Sequence, residues 1–256
     1  MTALARSRPR RARQAVSTGT RLTLLNGFDL VCDGVTVPLP MSAQRLVAFL
    51  ALHRRPALRA FVAGALWLET SEERAQANLR STLWRLHRCN KELVEVRGHQ
   101  LRLGPRVQVD LLEAETFARG ALDETPVGLE VSPDVLTVDL LPDWYDDWAL
   151  IEREQFRQLR LRALDALCER LTRAGRFGEA LELGLSALAG EPLRESAHRA
   201  LVRVHLAEGN IGEAIRQYEL CRSLLGERLG VEPSQQMDKL LAGVTGWRRS
   251  RDEVAS

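Results

Sequence analysis

Residues 22–39 alternate between apolar and polar positions in short stretches, which is the pattern of half-buried β-strands. Asn26-Gly27 and Asp33-Gly34 separate these stretches, and both dipeptides are typical of the tight turns of β-hairpins. Pro38 and Pro40 follow, and proline cannot donate a hydrogen bond to a strand ladder. The pattern therefore predicts a small antiparallel meander that ends at these prolines.

Apolar residues then recur at helical spacing in three consecutive segments. Ser42 is placed to cap the first segment, and Thr70 with Glu73 has the spacing of a capping box at the start of the third. Short strand-like stretches follow, separated by Gly98 and by Gly104-Pro105. The pattern predicts helices at 43–54, 58–68 and 70–90, then strands at 93–96, 101–103 and 107–109.

After Asp110 the pattern is almost wholly helical, with a predicted linker near 123–133. Residues 174–181 match residues 208–215 at an offset of 34 residues, which is the tetratricopeptide period. This repeat predicts a short α-solenoid that binds segments of other proteins, whereas a plain helical bundle with a coincidental pattern is the alternative. The predicted helices of this half are 147–174, 176–189, 193–208, 211–229 and 234–245.

Charge divides the chain in the same place. The first 110 residues hold 18 basic and 8 acidic side chains, and the remaining 146 hold 18 basic and 26 acidic ones. A basic half favours a polyanionic partner, of which nucleic acid is the usual example. The sequence thus predicts a disordered basic tail at 1–20, a first domain at 21–110, a helical domain at 111–246 and a disordered tail at 247–256.

The third predicted helix carries the most informative side chains. Its apolar positions share one face, and the opposite face is free of carboxylates, with Trp84 at its edge. Arginine binds guanine in the major groove and asparagine binds adenine, although arginine binds phosphate equally well. A solvated helix face is the alternative. The predicted DNA contacts of this helix are Arg74, Asn78, Ser81, Arg85 and Arg88.

The predicted hairpin after this helix also carries cations. Arg97, His99 and Arg102 lie on its strands and at its tip, which favours a clamp on the DNA backbone or in the minor groove. A solvated hairpin without a partner is the alternative interpretation. Taken together, helix and hairpin predict a double-stranded DNA partner.

Enzyme, metal and membrane signals are weak in the sequence. It contains no P-loop, no G-x-S-x-G and no H-E-x-x-H, so we expect neither an enzyme nor a cofactor. His198 and His205 are seven residues apart, whereas metal ligands on one helix more often lie four apart, so we expect no metal site. No apolar run approaches a membrane span, and the four cysteines lack C-x-x-C spacing, which favours a cytoplasmic protein.

Phe61 lies off the apolar stripe of the second predicted helix, beside Gly64 and Leu68. A small domain normally places a polar residue at such a position. One hypothesis is that Trp144 and Trp148 of the helical half, or a second subunit, cover this face. The alternative is that Phe61 packs inward against the N-terminal meander.

The sequence resembles actinobacterial transcriptional activators of the antibiotic-regulatory-protein (SARP) type over residues 22–245. Residues 46–52, 65–67 and 73–86 carry the resemblance in the first half. The segments Leu141-Pro-Asp-Trp-Tyr-Asp-Asp-Trp148 and Leu225-Gly-Glu-Arg-Leu-Gly-Val-Glu-Pro233 carry it in the second, together with 191–197. The chain departs from the family where Leu58 replaces a Ser or Thr cap, and where Trp84 and His87 replace Ser and Arg.

The resemblance implies a mainly α-helical protein in which an N-terminal winged helix-turn-helix (α+β) precedes an all-α tetratricopeptide-like domain. It also implies DNA binding through the third helix, homodimers on direct repeats, and recruitment of RNA polymerase. We therefore expect a sequence-specific transcriptional regulator, in particular an activator, with helix 71–90 in the major groove and wing 93–109 on the backbone or in the minor groove. The alternative is a tetratricopeptide-type adaptor whose winged helix no longer binds DNA.

Overall fold

The computed structural model describes residues 19–123 and 132–243. The predicted tails, apart from residues 19 and 20, and most of the predicted linker 123–133 lie outside these residues. The chain forms two compact units, one reaching to Leu24 and resuming over Phe28–Asp110, the other comprising Leu25–Gly27 and the chain from Leu111. Among the described helices, none combines the length and apolar character that a bilayer span requires.

The first unit opens with the predicted antiparallel meander. Strands β1 (Thr20–Thr23), β2 (Asp29–Cys32) and β3 (Val35–Thr36) pair in sequence, with Asn26 and Asp33 at positive φ in the two turns. Strand β1 begins two residues earlier than predicted because Thr20 pairs with Cys32.

Two helices follow the meander and a third precedes the wing: α1 (Met41–His53), α2 (Arg59–Leu66) and α3 (Glu72–Cys89). The predicted Ser42 cap is wrong, because the carbonyl of Pro40 already accepts from the amides of Ala43 and Gln44 at 2.8 and 3.0 Å. Pro40 is therefore the N-cap, and α1 begins at Met41.

The predicted capping box at α3 is also wrong. The Thr70 hydroxyl donates to the Trp67 carbonyl at 3.0 Å, so it is directed away from the helix. Ser71 is the N-cap instead, and its hydroxyl accepts from the amide of Arg74 at 3.4 Å. Glu72 and Glu73 then occupy the first turn, where negative charge stabilises the helix dipole.

Leu58 does not start α2 as predicted. It lies in a two-residue strand, β4 (Ala57–Leu58), which pairs with β6 and leaves the Leu58 side chain 56% exposed. Leu58 therefore does not belong to the buried stripe of α2, to which Val62, Ala63 and Leu66 contribute.

The wing is the hairpin of β5 (Val94–Arg97) and β6 (Gln100–Leu103), with β4 paired on the far side of β6. Strand β7 (Val107–Val109) was predicted within the wing, but it pairs parallel with β1 in the first sheet. The reason is packing, because Val109 and Leu22 are paired residues that are both buried.

The second unit is all α-helical within the described ranges apart from an isolated bridge between Leu25 and Leu140. A 3₁₀ turn at Pro133–Leu136 precedes the long helices. The predicted helices are found within two residues, except that the last one ends at Leu241. The helices are α4 (Asp110–Leu122), α5 (Asp147–Arg173), α6 (Phe177–Gly190), α7 (Glu195–Glu208), α8 (Ile211–Leu229) and α9 (Gln235–Leu241).

The two copies of the repeated segment have the same local structure. Gly175 and Gly209 both adopt positive φ, 73° and 84°, within two residues of a helix end. Ala180 and Ala214, which occupy equivalent positions in the following helices, are both fully buried. The repeat therefore marks two helix pairs, α5–α6 and α7–α8, as the 34-residue period predicts.

Two arginines of α5 organise the segment that precedes it. Arg153 donates to the carbonyls of Leu140 and Trp144 at 2.8 and 2.6 Å. Arg160, which is 2% exposed, donates to the carbonyl of Leu136 at 3.2 Å and pairs with Asp139. These bonds give the carbonyl groups of the irregular chain before α5 hydrogen-bond partners, and they fix this chain against the helix.

We expect Gly184→Ala to destabilise the protein by about 1–3 kcal/mol, because a Cβ atom there overpacks the core. A Cβ atom at this position of α6 would lie 2.5 Å from Cδ2 of Leu201 on α7 and 3.5 Å from the Cys168 sulfur on α5. Gly178→Ala in the same helix is the control, since a Cβ there meets no atom within 4 Å. Thermal unfolding measures both, and equal melting temperatures would contradict the tight packing of α6.

Candidate nucleic-acid interface

Helix α3 is fixed in the first unit by one face. Ala75, Leu79, Thr82 and Leu86 on that face are at most 3% exposed. Their spacing of three and four residues gives a continuous buried stripe, so the opposite side of the helix must face outward. The orientation of α3 is thus set by its apolar residues and not by its polar ones.

All five predicted DNA contacts of α3 lie on this outward side and are exposed. They follow one another at intervals of three and four residues, which places them in one stripe along four helical turns. In the described part of the chain, the side chains of Arg74 and Arg85 form no ion pair, so both guanidinium groups are available to a ligand. We call Arg74, Asn78, Ser81, Arg85 and Arg88 the α3 stripe.

The distal end of the α3 stripe is ordered by an aromatic ring. The Arg88 guanidinium carbon lies 4.8 Å from the ring centre of Trp84, which is 60% exposed. Such a cation–π contact restricts the arginine without neutralising its charge. Arg80, which the sequence analysis did not select, is also exposed but lies away from the stripe.

The wing arginines have a different environment from those of α3. Glu95 is the register partner of Arg102 across the hairpin, and Arg97 lies two residues further along β5 on the same face. The Glu95 carboxylate accepts from Arg102 Nε at 2.5 Å and from Arg97 Nε. The hydrogen bond from Arg102, followed by that from Arg97, lowers the pKa of Glu95 below its ordinary value.

His99 lies at the tip of the wing and is exposed. Its carbonyl accepts from the amide of Arg59 at 2.8 Å, which ties the tip to the start of α2. The imidazole is therefore displayed at the end of the hairpin, where the sequence analysis placed it.

Phe61 is half exposed and lies against α1. Its ring centre is 5.9 Å from that of Phe49 and 5.4 Å from that of His53. Trp144 is buried and meets the half-buried Trp148 edge-on, with ring centres 6.0 Å apart. The covering of Phe61 by Trp144 and Trp148, or by a second subunit, stays a prediction.

Over residues 19–123 and 132–243, the side chains that could ligate a metal ion are dispersed. No cluster of three or more His, Cys, Asp or Glu side chains there is arranged to hold a metal ion. His198 is buried, bonds to the carbonyl of Pro192 at 2.9 Å and contacts Gln217, and burial lowers its pKa. This histidine has a packing role.

Residues 117–244 match the model of the bacterial transcriptional activator domain, and this match spans half of the chain. The chain belongs to the bacterial transcriptional activator domain family. Helices α5 to α9 lie entirely within the matched residues. The match therefore includes both helix pairs that carry the repeat.

Two curated relatives extend the similarity beyond this domain. The chain is 26% identical over 242 residues to "Regulatory protein AfsR" of Streptomyces coelicolor, and 25% identical over 242 residues to the protein of the same name from Streptomyces griseus. These alignments cover 90% and 88% of this chain. In each case the chain spans 24% of the length of its relative, and the similarity is to regulatory proteins.

A solved structure supports the order of the two units. The chain matches Mycobacterium tuberculosis EmbR, solved in complex with a low-affinity phosphopeptide, with a TM-score of 0.66 and 17% sequence identity. The match covers 88% of this chain and 64% of that one. It confirms the fold class, a mainly α-helical protein in which a mixed α/β region of winged-helix type precedes an all-α region.

Proposed function

We propose that this bacterial transcriptional activator domain protein is a sequence-specific DNA-binding regulator, in particular an activator. In this proposal α3 enters the major groove, and the wing contacts the backbone or the minor groove. The α3 stripe is the observation that carries the proposal, because five exposed polar side chains, three of them cationic, align on one face without a carboxylate among them.

The chemistry of the α3 stripe is suited to base edges as well as to phosphates. Asn78 offers a donor and an acceptor, which is the pattern that pairs with adenine, and the unpaired Arg85 offers the fork that pairs with guanine. An α-helix fits the width of the major groove, so side chains in the middle of α3 are the best placed to contact bases. Arg74 and Arg88, near the helix ends, suit phosphates on either side.

The second unit supports a partner-binding role in the same proposal. Stacked helix pairs present extended surfaces that bind other protein segments. We assign to this unit the contacts with RNA polymerase and the contacts between two copies on direct repeats of DNA. A tetratricopeptide-type adaptor would use the same surface, but it would need no acid-free cationic stripe on α3.

We expect the full chain to bind duplex DNA with strong salt dependence. Each phosphate neutralised contributes about −0.9 to the slope of log K against log salt concentration, so the stripe and wing together predict a slope of about −3 to −5. Fluorescence anisotropy with a labelled duplex between low and moderate salt measures this slope.

A triple variant provides the matched comparison. Alanine at Arg74, Arg85 and Arg88 should abolish most of the affinity, whereas alanine at Arg162, Arg216 and Arg228, which are exposed in the second unit, removes the same charge elsewhere. Wild-type protein that is folded but shows no duplex binding at low salt would refute the proposal and favour the adaptor. Equal losses in the two triple variants would show that net charge alone drives binding.

A further inference from the structure

The polar face of the wing holds one carboxylate between two guanidinium groups. Glu95 accepts from Arg102 across the hairpin and from Arg97 along its own strand, and both pairs lie on the side that faces away from Leu101 and the core. The three side chains together carry one net positive charge. Both wing arginines that a phosphate would contact are therefore already bound to an anion within the protein.

This trio lines a cleft on the first unit. The cleft has a volume of about 250 Å³, and two further cations, Lys91 and Arg106, also line it together with Glu92. Six of its eight lining residues are charged, and four of these are cations, so it suits an anionic group of the size of a phosphate diester. Glu95 occupies the position between the arginines that such a group would approach.

We propose that Glu95 competes with DNA phosphates for Arg97 and Arg102. This competition sets how strongly the wing binds the DNA backbone without regard to base sequence. This inference rests on the proposed function, since it assumes that the wing meets DNA. When a phosphate arrives, it replaces the carboxylate as the acceptor for Arg97 and Arg102. The wing then binds DNA less tightly than its count of arginines suggests, and α3 contributes a larger share of the total affinity.

The exposure of the two ion pairs favours competition between Glu95 and phosphate over a role for Glu95 in positioning the arginines. The Arg97 side chain is 71% exposed and that of Arg102 is 35% exposed, and ion pairs at such positions add little order or stability. Repulsion between Glu95 and a phosphate bound at the same guanidinium groups acts at close range. The lowered pKa of Glu95 keeps its carboxylate charged through the neutral range, so the competition persists there.

The test is Glu95→Gln in the full chain, with Asp29→Asn as the matched control. Asp29 is an exposed carboxylate on β2, in the other sheet of the unit, so its replacement makes the same change in net charge. Binding to a duplex of arbitrary sequence is measured across a salt series. Glu95→Gln should raise the affinity at low salt about two- to fivefold and make the salt slope more negative by up to about 0.9, whereas Asp29→Asn should change both much less.

A second comparison separates competition from a general effect of charge. In a background where Arg97 and Arg102 are alanine, Glu95→Gln should gain no more than Asp29→Asn does. Lower affinity of Glu95→Gln than of wild type would show that Glu95 positions the arginines, and would overturn the proposal. In the chain that keeps Arg97 and Arg102, a gain in affinity equal to that of Asp29→Asn would overturn it as well.

Two precautions keep these outcomes interpretable. Glu95→Ser replaces the glutamine variant if melting curves show that glutamine disturbs the hairpin. Failure of the wild-type chain to bind any duplex would instead remove the proposed function, and the inference with it. If the wild-type chain binds DNA but Glu95→Gln binds it no more tightly, only the inference about Glu95 is refuted.

Discussion

We expect Gly104→Ala to destabilise the first unit by about 3 kcal/mol and to weaken DNA binding through the wing. A Cβ atom at Gly104 would lie 1.8 Å from the carbonyl oxygen of Glu92, and backbone cannot yield as a flexible side chain does. Gly104 also donates its amide to Leu93 at 2.9 Å, at the point where β6 leaves the wing and the chain turns toward β7. Alanine would therefore force the two ends of the wing apart.

The matched control for this substitution is Gly98→Ala at the wing tip. A Cβ there meets no atom within 4 Å, but the residue has a φ of 57°, so alanine should cost only about 1 kcal/mol of left-handed strain. Thermal unfolding followed by circular dichroism compares the two, and anisotropy with a labelled duplex reports the loss of affinity. A melting temperature of Gly104→Ala at or above that of Gly98→Ala would contradict the described base of the wing.

Periodicity predicted the parts of the fold that depend on burial along one chain segment. The α3 stripe is an example, because the apolar residues Leu79 and Leu86 fix the outward face without help from other elements. The turns of the helical repeat are another, since Gly175 and Gly209 carry a local conformational requirement. The helix starts were predicted less well, because two neighbouring residues such as Thr70 and Ser71 compete for one cap.

Features set by pairing between distant residues could not be predicted in this way. The position of β7 beside β1 depends on a long-range contact that no local pattern records. The pairing of Glu95 with Arg102 depends on the register of the hairpin, which a one-residue shift would abolish. The burial of Arg160 opposes the general tendency of arginine, and its long-range partners, the carbonyl of Leu136 and the carboxylate of Asp139, explain it.

The second large effect is expected at Arg85. This residue is the fourth of the five in the exposed stripe, one turn before Arg88, and among the described residues it has neither an ion pair nor a ring contact. If it forks onto a guanine, Arg85→Ala should cost about 1–3 kcal/mol on the preferred site and reduce discrimination at that base pair. Arg97→Ala on the wing should instead weaken binding to all sequences alike, because in the proposed function Arg97 contacts phosphate, which carries no sequence information.

The most direct test of the account is the ratio of affinities for a preferred duplex and its shuffled counterpart, measured for the wild type, Arg85→Ala and Arg97→Ala at one salt concentration. The preferred duplex is obtained by selection from a random pool with the full wild-type chain. The account predicts a high ratio for the wild type, a similar ratio for Arg97→Ala and a ratio lowered by about tenfold for Arg85→Ala. A wild-type ratio near one, or equal ratios in all three proteins, would contradict the claim that α3 recognises base sequence.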